Sequence, residues 1–179
     1  MSLKRMARTF FGGHHMAALT AGKPAPAISL NDLKGQQLTL ADALNKGPVL
    51  AAFFKVTCPV CQFTFPFLER MYETYGSSRF TFWGISQDDA RNTRQFLQEY
   101  EIKFPVLIDE PGYPASNQYG LTTVPTLFLI APDGNIQVSS VGFAKADLEQ
   151  IAAQAARSTG KSPSPLFKPG EVVPQYKPG

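Results

Sequence analysis

Cys58 and Cys61 are the only cysteines in this 179-residue chain, and they stand three apart within Leu50 to Pro66, LAAFFKVTCPVCQFTFP. A C-x-x-C pair can exchange with disulfides or hold a metal. Its surroundings favour exchange. An apolar run ends at Lys55, a short turn follows, and Pro59 opens what reads as a helix. Cys58 then falls at the N-cap, where unpaired backbone N–H groups and the positive end of the helix dipole favour a thiolate. Cys61 lies one turn along, within reach of a disulfide. Pro59 takes the first helical position, where a missing N–H costs nothing. In this chemistry Cys58 attacks, a mixed disulfide forms and Cys61 resolves it. A structural zinc site needs four ligands. The other candidates, His14 and His15, are adjacent to each other and close to the start of the sequence. No metal and no cofactor is expected. Lys55 reads as a side chain pointing to water.

The pair needs a rigid frame. Val49 to Val56 is almost wholly apolar, as in a strand buried on both faces of a parallel sheet. After it, Phe63, Phe67, Met71 and Tyr75 recur every four residues, with Leu68 and Tyr72 widening the stripe. Pro66 lies inside this helix and should kink it, and Gly76 closes it. Further strands read at Arg79–Ser86, Pro105–Ile108, Thr126–Ile130 and Ile136–Val141, the last two joined at Asp133-Gly134. Helices read from Asp88 or Asp89 to Tyr100 and from Ala146 to Ala156, with a helical turn at Ala115–Tyr119. Upstream, Ala21 to Leu30 is an extended lead-in, paired as a hairpin through Asp32–Gly35 with Gln37–Leu40. The alternation of strands and helices predicts an α/β fold, a central mixed sheet flanked by helices.

Hydrophobic residues make up 44% of the chain and charged residues 17%, a globular composition. The net charge of +3 comes from the two ends. Without Lys4, Arg5, Arg8, Arg157, Lys161, Lys168, Lys177 and Glu171, 10 basic and 13 acidic residues remain. That body offers no basic stripe for nucleic acid. No run approaches the ~20 apolar residues of a membrane span. Gly12, Gly13, His14 and His15 interrupt any leader-like core, so a cytoplasmic location is expected; a leader removed from the sequence would make it exported. Residues 1–19 read as an N-terminal segment and 20–157 as one domain. Residues 158–179, with five prolines and Lys-Pro-Gly at 168–170 and 177–179, read as an extended tail. Phe167, Val172, Val173 and Tyr176 are its expected anchors.

Together these features resemble the thioredoxin-fold superfamily. The matching residues are the apolar strand 49–56, Cys58-Pro59-Val60-Cys61, Pro66, and Val124-Pro125-Thr126 ahead of the hairpin at Asp133-Gly134. The lead-in Ala21-Gly22-Lys23-Pro24-Ala25-Pro26 is similar to that of the TlpA-like and redoxin (alkyl hydroperoxide reductase/thiol-specific antioxidant-type) branch. The resemblance implies a thioredoxin-like fold over residues 20–157 and a thiol-disulfide oxidoreductase. Cys58 matches the attacking cysteine and Cys61 the buried resolving one. Pro125 matches the cis-proline beside the disulfide. Val124 matches the residue that offers its backbone to an extended substrate. Thr57, Pro59 and Val60 would complete the substrate surface.

The sequence also departs from that pattern. Thr57 replaces a frequent Trp, and Ala52 stands where thioredoxin has a buried acid, so Cys61 must exchange its proton through another group. Pro59-Val60 is not the thioredoxin dipeptide, which leaves the potential open. Peroxidases of the same branch place Pro and Thr seven and three residues before the reactive cysteine, where this chain has Ala51 and Lys55. A peroxidase with Cys58 as the peroxidatic cysteine is therefore the second reading, behind a protein disulfide reductase. A non-catalytic interaction domain on this scaffold is the third. The expected partners are protein or small-molecule disulfides and an upstream thiol reductant. The oligomeric state is left open.

Overall fold

The computed structural model describes residues 17–179. The expectations placed on His14, His15 and a leader fall outside these residues.

Seven strands form one mixed sheet. They are β1 (Ser29–Asp32), β2 (Gln37–Thr39), β3 (Val49–Phe54), β4 (Thr81–Ser86), β5 (Val106–Ile108), β6 (Thr126–Ile130) and β7 (Ile136–Val141), in the order β2-β1-β5-β4-β3-β6-β7. β3 lies near the centre, parallel to β4 and antiparallel to β6. Its sequence VLAAFF is buried at every position. Leu50, Ala52 and Phe54 enter one core and Val49, Ala51 and Phe53 the other. That two-sided burial is why the strand is continuously apolar rather than alternating.

The helices α2 (Pro59–Tyr75), α3 (Ala90–Glu99) and α5 (Lys145–Thr159) contribute to the first core. α1 (Leu40–Leu44) and α4 (Pro114–Gln118) contribute to the second. α2 carries Phe65, Leu68 and Met71 into the sheet, and the Phe65 ring lies 4.3 Å from that of Phe54. This places the start of α2 at the end of β3. Pro66 lies within α2 and is exposed, so it meets water and not the core. Asp89 caps α3, accepting the Asn92 N–H at 2.8 Å. α5 runs to Thr159, one turn beyond the expected end at Ala156, and Gly160 ends it with a left-handed backbone.

The lead-in hairpin joins the main sheet, because β1 pairs antiparallel with both β2 and β5. The tail lies on the domain. Leu166 and Phe167 are buried in the first core, where Phe167 packs 5.1 Å from Phe67. Two expected anchors are not anchors: Val172 is 98% exposed and Tyr176 is 54% exposed. In a proline-rich extended segment there is no period to say which side chain faces inward. The other two, Phe167 and the partly buried Val173, do pack on the apolar patch over α2 and α5, and Leu166 joins them. Further on, β9 (Tyr176–Lys177) pairs antiparallel with β8 (Phe143–Ala144).

Candidate active site

Cys58 is the N-cap of α2, with extended backbone, and Pro59 is in the first turn. The Cys61 N–H donates to Cys58 Sγ at 3.3 Å. The Cys58 thiol donates to the carbonyl oxygen of Val124, also at 3.3 Å. A helix-start N–H therefore faces the sulfur from one side and a loop carbonyl from the other. The first can stabilise a thiolate and the second can hold its proton beforehand.

Cys61 is completely buried and Cys58 partly exposed. Both are free thiols. Burial pushes the Cys61 thiol well above the ordinary range; the Cys58 sulfur and the negative charge of Asp88 add to the rise, and a Lys55 backbone hydrogen bond opposes it. The two cysteines thus differ in access and environment although they share one helical turn.

The turn between strand and helix is held from two sides. Asp88 Oδ2 accepts the Val56 N–H at 2.8 Å, and the Gln62 side-chain amide donates to Val56 O at 2.9 Å. Cys58 N–H donates to Lys55 O at 3.1 Å. Asp88 was expected only as a possible helix cap, and Gln62 was not singled out at all. No local pattern joins Asp88 to the cysteine turn; β4 lying beside β3 does. Ala52 is buried in the core, so Asp88 is the acid that bears on Cys61 here.

The structure brings Val124 to Cys58, and the Val124–Pro125 bond is cis. Pro125 is buried, and its carbonyl accepts the Gly142 N–H at 2.7 Å. Thr126 Oγ1 donates to Thr123 O at 2.8 Å, bracing the same loop. Thr57 and Pro59 are exposed at the rim, whereas Val60 is half-buried against the first core. A polar cleft of about 360 Å³ opens on one side of Val124, lined by Gln87, Ser116 and Thr123 among others. Phe63, which follows Cys61 in α2, packs edge-on against Phe143 at 4.9 Å, with the Lys177 ammonium 5.2 Å above its ring. Among the described residues, no three His, Cys, Asp or Glu side chains cluster as a metal site would require. None of the helices described is long and apolar enough to cross a membrane.

The fold and the paired cysteines define a thiol-disulfide oxidoreductase on a thioredoxin-like scaffold. The profile of the AhpC/TSA family matches residues 21–139, and the chain belongs to that family. It is similar to the thiol-disulfide oxidoreductase ResA of Bacillus thuringiensis subsp. konkukian, with 32% identity over 116 residues; the match covers 64% of this chain and 66% of that protein. It is also similar to the thioredoxin-like protein YneN of Bacillus subtilis, 31% identical over 136 residues, 72% of this chain and 76% of the relative. A putative thiol:disulfide interchange protein DsbE from Chlorobium tepidum, of known structure, shares 28% identity and superposes with a TM-score of 0.69. It covers 80% of this chain, which spans all of it.

Proposed function

We propose that this protein is a protein disulfide reductase in which Cys58 attacks and Cys61 resolves. The supporting observation is the asymmetry of the pair: Cys58 Sγ is reachable and sits between the Cys61 N–H and Val124 O, while Cys61 is sealed beneath it. The Cys58 thiolate attacks one sulfur of a substrate disulfide, forming a mixed disulfide and releasing the other sulfur as a thiolate. Cys61, once deprotonated, attacks Cys58 Sγ, closing the Cys58–Cys61 disulfide and releasing the second substrate thiol. The substrate gains two electrons and two protons, and the protein loses them. An upstream dithiol reductant returns the pair to its starting state.

Burial makes the Cys61 sulfur more nucleophilic once ionised but lowers the fraction ionised near neutral pH, so resolution waits on removal of the Cys61 proton. Polypeptide disulfides are the substrate class that suits Val124, whose carbonyl borders the reactive sulfur. The test is insulin reduction with dithiothreitol as electron source, run beside thiol-coupled peroxide turnover. Insulin reduction that depends on Cys58 supports the reading. Peroxide turnover without insulin reduction would overturn it in favour of a peroxidase.

A further inference from the structure

We propose that the tail segment Tyr176–Gly179 is a built-in occupant of the groove in which an extended polypeptide substrate would lie, so that it competes with polypeptide disulfides and not with small ones. This rests on the reading that Cys58 attacks and that Val124 borders the substrate.

The path of the tail is set in stages. Ser164 N–H donates to Tyr75 Oη at 2.7 Å. Arg70 donates to Leu166 O at 2.8 Å and pairs with both carboxylate oxygens of Glu171. Lys145 N–H donates to Gln175 O at 2.9 Å, and Tyr176 and Lys177 then pair with Ala144 and Phe143. This carries the chain to the cysteine site, where two glycines permit a close approach. Gly142 has φ +75°, and a Cβ there would overlap Lys177 O and stand 3.0 Å from Gly179 N. A Cβ on Gly179 would overlap Val124 O and stand 3.0 Å from Thr123 Oγ1. Val124 O is also the acceptor of the Cys58 thiol. The tail backbone and the reactive sulfur therefore meet at one carbonyl.

The contact is made by extended backbone added along an exposed edge, the mode by which peptides add to sheets. It is also readily released: β9 is two residues long and Tyr176 points to water. A small disulfide needs only Cys58 Sγ. A polypeptide must also lay its chain along Val124, where Gly179 already lies.

Three reduced proteins decide the matter: the full chain, a chain lacking residues 174–179, and Gly179→Val, which adds a side chain where none fits and leaves the core untouched. Reduction of insulin is compared with reduction of 5,5′-dithiobis(2-nitrobenzoate). Labelling of Cys58 by a maleimide carried on an extended peptide is compared with labelling by iodoacetamide. We expect both variants to reduce insulin severalfold faster, and to take the peptide maleimide severalfold faster, with the two small reagents unchanged. Unchanged ratios in both assays would overturn the proposal. If none of the proteins reduces a disulfide, the exchange reading fails, and the labelling rates still decide whether the tail occupies the groove.

Discussion

Cys58 Sγ lies 3.3 Å from the carbonyl oxygen of Val124, although the two residues are 66 positions apart. β3 and β6 run antiparallel, Phe53 opposite Thr126, so the end of one strand and the start of the other meet at the same edge. The Cys58 sulfur and the Val124 backbone proposed to align its substrate are placed by that pairing.

The division of labour between the cysteines is directly testable. Cys61→Ser should accumulate a mixed disulfide with insulin chains at one per protein, detected by mass spectrometry. Cys58→Ser should form none and should lower insulin reduction to the uncatalysed background. A stable adduct through Cys61 in the Cys58→Ser protein would reverse the roles.

Reduced protein should lose stability in alkali. Folding raises the Cys61 thiol above its unfolded value of about 8.5. Its contribution is fully present below that value. It is lost as the pH rises toward the folded value, because the unfolded chain gives up the proton first. The urea midpoint of the reduced protein should therefore fall between about pH 8.5 and 10.5, and that of Cys61→Ala should fall less.

Asp88 is a positioning residue whose charge opposes ionisation of Cys61. Asp88→Asn keeps an oxygen for the Val56 N–H and removes the charge. The pH profile for resolution of the mixed disulfide should then move to lower pH, with attack by Cys58 on a small disulfide little changed. A profile that does not move would leave Asp88 a purely structural clamp on the turn.

The tail clamp should titrate in acid. The Arg70 guanidinium, aided by the Lys168 N–H, holds the Glu171 carboxyl down at about 2. A depressed carboxyl contributes above its unfolded value, near 4.3, and the contribution fades as the pH falls toward 2. Arg70→Ala should expose Lys161 to trypsin severalfold faster at pH 7. In the parent, hydrogen exchange of the tail amides should quicken as the pH falls through that window, after correction for intrinsic rates.

Phe65 is fully buried, 4.3 Å from Phe54 and 5.6 Å from Phe96. Phe65→Ala should cost about 3–5 kcal/mol in urea unfolding, since the site leaves a cavity between helix and sheet. A loss under about 1 kcal/mol would mean that α2 repacks freely, contrary to close packing in the core.

Much of the frame was legible because burial has a period. The continuous apolar run of β3 and the four-residue recurrence in α2 follow from being covered on two faces and on one. The nearness of Val124-Pro125 to the cysteines was expected from resemblance alone; nothing in the local residues states it. Asp109 shows the opposite case. It is fully buried and accepts the Ala115 and Ser116 N–H groups at 2.8 Å, in the first turn of α4, and nothing in the residues beside it marks that role. An acid earns no sequence signal for a role that depends on which backbone donors the loop returns to it.

The sequence by itself determined the cysteine pair, its order along the chain and the secondary structure that carries it. Residue type and short spacing suffice for chemistry made within one helical turn. Tertiary structure decided which cysteine is sealed, that Asp88 is the acid whose charge bears on Cys61 where Ala52 offers none, and that the tail rests on Leu166 and Phe167 before reaching Val124. Each of those depends on surfaces brought together by strand pairing and by the packing of α2 and α5, and such contacts leave no trace in local periodicity.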